Sequence, residues 1–143
     1  MKIKNFALLA GVAGLLAACG GSAIVEPADL NDQRVFFAFN SSEISDEAND
    51  NLLGQSLYMK NHEDVKIQIA GNCDERGSTE YNLALGARRA NAAKRVLVND
   101  GIDASRISTI SYGKERPLVR GTGEDVWKYN RNATTRSEER RVG

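Results

Sequence analysis

Val65-Lys66-Ile67-Gln68-Ile69-Ala70 runs directly into Gly71-Asn72-Cys73-Asp74-Glu75-Arg76-Gly77, and Ser78 then opens a long segment ending near Asn99. The first part alternates apolar and polar residues with a period of two, the signature of a half-buried strand. The last part repeats its apolar residues at helical spacing, with Ser78 placed to cap the helix and Gly101 just beyond its end. Working outward, Val35 to Phe39 is a compact aromatic strand candidate, and Ser45 to Asn61 carries Ala48, Leu52, Leu53 and Leu57 at helical spacing. Ile107 to Tyr112 alternates again. The order is β-α-β-α-β, which predicts an α/β (α+β) sandwich with helices packed on a small mixed sheet.

On a wheel of about 100° per residue, Leu83, Leu85, Ala90, Ala93, Val96 and Leu97 define one apolar arc. Arg88, Asn91, Lys94 and Arg95 lie mainly opposite. Arg89 and Asn82 fall in the middle of the apolar arc, away from the solvent-facing charges. A guanidinium aimed at a core is costly unless it is paired. Either Arg89 meets a carboxylate at the core edge and only supports the fold, or it lines a pocket for an anionic ligand, to which its planar fork is suited. The wheel alone leaves both open.

The loop Gly71–Gly77 sits between a strand and a helix N-terminus, where α/β folds commonly place ligands and where helix amides favour anions. Asp74 supplies a negative charge there and Arg89 a positive one. An amino acid head group, ammonium and carboxylate on one carbon, complements both. The plain alternative is that Asp74, Glu75 and Arg76 form a solvated turn.

Composition narrows the class. The chain has 143 residues, with 19 Lys and Arg against 19 Asp and Glu. That balance argues against nucleic acid, which calls for a basic excess. Met1-Lys2-Ile3-Lys4, the apolar run Phe6 to Ala18 and the small residues before Cys19 form an export signal. The run is short of the roughly 20 apolar residues that span a bilayer. Leu16-Ala17-Ala18-Cys19 resembles the lipobox of bacterial lipoprotein precursors, which implies cleavage after residue 18 and acylation of Cys19. Gly20 follows, with no aspartate to resemble an inner-membrane retention signal, so the outer membrane is expected. Residues 19–34 read as the lipidated Cys and a flexible tether. Cys73, without a partner once Cys19 is a thioether, is expected as a free buried thiol.

Gly71-Asn72-Cys73-Asp74-Glu75-Arg76-Gly77 and Glu80-Tyr81-Asn82-Leu83-Ala84-Leu85-Gly86-Ala87-Arg88-Arg89-Ala90 closely resemble the peptidoglycan-associated lipoproteins (Pal), the lipid-anchored members of the OmpA C-terminal-like domains. Val35-Phe36-Phe37-Ala38-Phe39-Asn40 resembles that family's first strand. Ile107 to Pro117 resembles its third strand and the loop after it. The resemblance spans about Arg34 to Arg131, giving an OmpA-like peptidoglycan-binding domain over residues 35–131. It implies noncovalent binding of the peptidoglycan stem through meso-diaminopimelate, with Asp74 and Arg89 as the ligand-binding pair. Asn82 is expected to order the pocket, and Arg76 and Asn40 are lesser contact candidates. It further implies membership of the Tol–Pal envelope system, with TolB as protein partner, a part in envelope integrity and cell division, and no cofactor.

Two departures stand out. Ala38 and Asn40 replace residues that are acidic or small in many relatives. Residues 132–143 form an atypical polar tail where the family continues into an apolar strand, so a truncated or frame-altered end is expected. The final strand would then be missing or altered, and the sheet would carry an unpaired edge. A peptidoglycan hydrolase is the competing class. His62 is the single histidine, and no CxxC or HExxH offers a zinc site. A Cys73/His62/Asp74 nucleophile system is the remaining enzymatic possibility. A flagellar-stator or porin-linked anchor of the same domain class fits less well, since those hang from a transmembrane helix or barrel.

Overall fold

The computed structural model describes residues 23–138. The export signal, Cys19 with its expected acylation, and the last residues of the tail lie outside them. The element order is β1 (Gln33–Phe36), α1 (Asp46–Asn61), β2 (Ile67–Asn72), α2 (Thr79–Asn99), a 3-10 turn (Ala104–Arg106), β3 (Ile107–Gly113), α3 (Glu124–Asn130) and β4 (Asn132–Ser137). The caps follow the sequence: the Ser45 hydroxyl accepts from the Ala48 N–H, and the Ser78 hydroxyl accepts from the Tyr81 N–H, both at 3.0 Å. Gly101 ends α2 with φ of 106°, a left-handed conformation that favours glycine.

The four strands form one mixed sheet in the order β1-β4-β2-β3. β4 is antiparallel to both β1 and β2, and β2 is parallel to β3. Val35, Ile67, Ile69, Ile107 and Ala133 turn one sheet face towards Leu52 and Met59 of α1 and Ala90, Ala93 and Leu97 of α2. Leu83, placed on the apolar arc of the wheel, is instead 40 % exposed. Sheet and α2 touch most closely at Gly71 and Gly86, where a Cβ on Gly71 would meet the Gly86 carbonyl oxygen at 1.7 Å. No side chain fits between them.

Two expectations are overturned. Far from missing, the final strand is β4, and it occupies the sheet interior with a neighbour on each side. The strand is Asn-Ala-Thr-Thr-Arg-Ser, and its alternation is real but muted. Ala133 and Thr135 face the helices, whereas Asn132, Thr134 and Arg136 face away. Ladder hydrogen bonds on both edges and the β-branched threonines hold a strand that side-chain hydrophobicity alone does not announce. The domain therefore extends beyond residue 131, and residues 132–137 are not a tail.

The second correction concerns residues 19–34, read as a tether. Leu30 is 1 % exposed and belongs to the core. β1 already begins at Gln33. The Asn61 amide donates to Glu26 at 2.9 Å, and the Val25 carbonyl lies so close to Gly54 that a Cβ there would come within 2.3 Å. This segment thus touches α1 at the Val25 carbonyl and at Glu26 and enters the core at Leu30, an apolar anchor that a reading by composition passes over.

Ending the chain at Arg131 removes the strand that joins β1 to β2 and β3. Cooperative unfolding, followed by circular dichroism in urea, is expected to disappear. A truncated chain that still melts in one sharp transition would contradict this account of β4.

Candidate functional site

At the carboxyl end of β2, the chain turns through Cys73 and Asp74 and enters α2. Arg89, three turns along that helix, is 1 % exposed, and Asn82, two turns before it on the same side, is 2 % exposed. Both point where the wheel placed them. Arg89 meets no carboxylate among the described residues: its Nε donates to the Ser41 carbonyl at 2.8 Å, Nη1 to the Asn72 carbonyl at 2.9 Å and Nη2 to the Ala38 carbonyl at 3.0 Å. The Phe37 ring lies 5.3 Å from the guanidinium carbon. Burial pulls the Arg89 pKa down, opposed first by the neighbouring Cys73 thiol. A guanidinium nevertheless keeps its proton in proteins. The result is a buried cation held by neutral oxygens, with one N–H left over on each terminal nitrogen.

Those three carbonyls come from two distant places, the β1–α1 loop and the end of β2. Arg89 thus stitches the loop 37–41 onto the strand. Ala38 contributes its backbone oxygen rather than its side chain. Asn40 has φ of 58°, a left-handed conformation that asparagine tolerates better than most residues. The two departures in this loop are therefore compatible with its geometry.

Asp74 is 4 % exposed. Its Oδ1 accepts from the Arg76 backbone N–H at 3.0 Å and from Nε at 3.1 Å, and its Oδ2 accepts from Nη2 at 2.7 Å. The Arg131 guanidinium approaches the same Oδ2 at 3.5 Å. Burial by itself would raise the Asp74 pKa, but the hydrogen bonds and charge of Arg76, with help from Arg131, outweigh it and bring the carboxyl below its ordinary value. Arg76 is in turn clamped between two rings, 4.0 Å from the centre of Phe39 and 3.9 Å from that of Trp127. Glu75 accepts from the Trp127 indole at 2.8 Å and from Thr122 at 2.9 Å. Asp74 is therefore no part of a solvated turn, whereas Glu75 and Gly77 stay exposed and Arg76 lies between the two.

Asn82 fixes the loop from beneath, its amide donating to the Arg76 carbonyl at 2.8 Å and the Ser78 carbonyl at 3.0 Å. Cys73 is a free, buried thiol whose Sγ lies 3.3 Å from the Asn82 carbonyl oxygen, and burial pushes its pKa up. Asp74, Arg76, Asn82, Arg89 and Asn40 all line one narrow cleft with Phe39 and Tyr81. Its free volume is about 10 Å³, room for one water molecule.

Sequence reasoning missed Arg131, Glu124 and Trp127. Arg131 binds Glu124 through both terminal nitrogens, at 3.1 and 2.8 Å, and donates from Nε to the Phe37 carbonyl at 2.8 Å. Asn130-Arg131 was visible only as the end of a family motif. The available signal was the single Trp, three residues after an acidic residue and four before that arginine. His62 stacks on Tyr58 at the end of α1, and its Nδ1 lies 2.8 Å from the Tyr58 carbonyl. It precedes β2, whereas Cys73 follows it, so about 20 Å of strand separates them. The Cys73/His62/Asp74 arrangement is not assembled. Among the described residues no three His, Cys, Asp or Glu side chains converge as a metal site.

Comparison with known proteins agrees with this architecture. The OmpA family model matches residues 36–131. A peptidoglycan-associated lipoprotein of Mesorhizobium japonicum is 43 % identical over 134 residues, covering 94 % of this chain and 79 % of its own length. One from Pasteurella multocida is 38 % identical, covering 92 % of this chain and 96 % of its own. The crystal structure of the peptidoglycan-associated lipoprotein from Burkholderia pseudomallei superimposes with a TM-score of 0.72 at 39 % identity, over 74 % of this chain and 90 % of that one. The periplasmic domain of Helicobacter pylori MotB, at 19 % identity and a TM-score of 0.62, shares the fold. With α1 and α2 on one face of a four-stranded mixed sheet, the chain belongs to the OmpA family, in the group of the peptidoglycan-associated lipoproteins.

Proposed function

We propose that this chain is an envelope lipoprotein that binds peptidoglycan noncovalently and catalyses nothing. Diaminopimelate of the stem peptide is the ligand, its carboxylate on Arg89 and its ammonium on Asp74. One observation carries this reading: Arg89 is a buried cation without a carboxylate partner among the described residues, and it lines the same cleft as Asp74. A charge buried at such cost and left with spare donors suits an anion supplied from outside. The names of the relatives support the same polymer. The reading extends to a lipid anchor at Cys19 in the outer membrane, a domain facing the periplasm, and TolB within the Tol–Pal system, as the motifs imply.

The cleft is too small for a diaminopimelate head group as it stands, and Arg76 already neutralises Asp74. Arg76 holds the position that a ligand ammonium has to take. Binding therefore requires the Arg76 side chain, which is one-third exposed, to leave Asp74 and its place between Phe39 and Trp127. Asp74 stays in place through Arg131, which is itself fixed by Glu124 and Phe37.

Cosedimentation of the full chain with purified sacculi tests the assignment. Asp74→Ala is expected to reduce binding at least tenfold. Arg89→Ala would orphan three carbonyls, at about 1–3 kcal/mol each, so Arg89→Lys is the better probe: it keeps the charge, loses the fork, and should also bind poorly while circular dichroism stays native. Arg88→Ala, on the exposed side of α2, should bind normally. Equal loss from all three variants contradicts the cleft assignment, and release of muropeptides from the sacculi contradicts the absence of catalysis.

The Asp74 cluster also has a pH signature. A carboxyl whose pKa is lower when folded adds stability above its unfolded pKa of about 3.9, and that contribution fades as pH falls through the lower folded value. Acid unfolding is expected to shift to higher pH in Arg131→Gln, which removes one of the cations beside Asp74. The same substitution breaks a buried ion pair and is expected to cost about 3–5 kcal/mol in urea unfolding. A change under about 1 kcal/mol would show that Arg131 does not hold Asp74.

A further inference from the structure

The sheet has a second face, turned away from α1 and α2, and it is not bare. β4 and β2 place Asn132 beside Asn72, Thr134 beside Ala70 and Arg136 beside Gln68. β1 adds Arg34 opposite Thr134, and the chain after β3 brings Arg116 and Leu118 over one side. Together they enclose a cleft of about 300 Å³, at the lower end of volumes that hold a ligand.

Two features of this cleft are unusual. Its lining includes three arginines and no carboxylate, although the whole chain carries no net charge. Asp32 lies beside two of them, 3.2 Å from Arg136 and 3.7 Å from Arg34. Arg116 has no ion pair among the described residues and lies over Tyr112, 3.8 Å from the ring centre. The cleft is thus cationic by about two charges.

The second feature is in the floor. Asn72 is 7 % exposed, and its Oδ1 has no hydrogen-bond donor among the described residues. The orientation of that amide is fixed: Asn72 Nδ2 donates to Asn132 Oδ1 at 2.9 Å, and Asn132 Nδ2 donates to the Tyr129 carbonyl at 2.8 Å. Reversing either amide would face donor to donor or acceptor to acceptor. A buried acceptor without a donor is costly, and because this oxygen is closed to solvent, a donor from outside reaches it only where the floor opens.

We propose that this cleft binds an extended acidic segment of a partner protein, its carboxylates resting on Arg34, Arg116 and Arg136 and the floor opening to let a backbone N–H reach Asn72 Oδ1. The chemistry selects this occupant. A phosphodiester, or a phosphate monoester above its second pKa of about 6, matches the guanidiniums but has no proton for Asn72. A second copy of this chain, docked face to face, brings arginines against arginines. A helix needs an apolar trough, whereas the floor is polar. An acidic peptide supplies both donors and anions at the spacing of one chain. Asn72 also joins this face to the cleft of Arg89, since its backbone oxygen accepts from that guanidinium while its side chain faces the opposite way.

The test uses the full chain in detergent and a dye-labelled peptide alternating glutamate and glycine, followed by fluorescence anisotropy. Binding is expected to weaken at least tenfold between 50 and 300 mM salt (roughly the fall for a few screened ion pairs) and to be absent for the glutamine counterpart. The double substitution Arg116→Gln with Arg136→Gln, both exposed residues, is expected to weaken it at least tenfold while sacculus cosedimentation is unchanged. Asp74→Ala is expected to leave peptide binding intact, which separates this face from the peptidoglycan reading. No binding of the acidic peptide, equal binding of the glutamine peptide, or insensitivity to the double substitution overturns the proposal. Loss of sacculus binding in the double variant would assign the face to the wall polymer instead, and overturns it as well.

Discussion

The three hydrogen bonds of Arg89 are the constraint on which the site depends. A single guanidinium draws together the carbonyls of Ala38, Ser41 and Asn72, from segments that the sheet alone would leave apart. Neutral carbonyls satisfy the donors without cancelling the charge. A carboxylate in the same place would have made a comfortable ion pair and an inert one. The arrangement keeps a positive potential at low dielectric, where it acts strongly on any anion that enters.

Around that cation the negative side of the cleft is built in layers. Asp74 is held by Arg76 and Arg131, Arg131 by Glu124, and Arg76 by Phe39 and Trp127. The layers differ in how firmly they are fixed. Arg131 is buried and tied at three places, whereas Arg76 is partly exposed and held by stacking and one carboxylate. A rigid partner and a more exposed one on the same aspartate are what the proposed exchange of Arg76 for a ligand ammonium requires.

Much of this was legible in the sequence, and the reasons are specific. Arg89 and Asn82 declared themselves because a helix wheel fixes direction, so two polar residues seven apart on the apolar side demanded an explanation. The serine caps and Gly101 set the helix ends for equally local reasons. What escaped depended on long-range pairing. β4 is polar, and its central position follows from backbone hydrogen bonds to β1 and β2, which leave little trace in side-chain pattern. Arg131 lies 57 residues from Asp74, and no periodicity links them. The packing of Leu30 was hidden because one apolar residue in a polar stretch carries no period at all.

The position of β4 has a consequence for how the chain comes to exist. β4, which follows the other three strands in the chain, sits between the first and the second, so the sheet has a gap until β4 is free to insert. Contacts of such sequence separation form late. A sheet arranged this way closes in one late step, when a single insertion supplies both β1 and β2 with their missing neighbour.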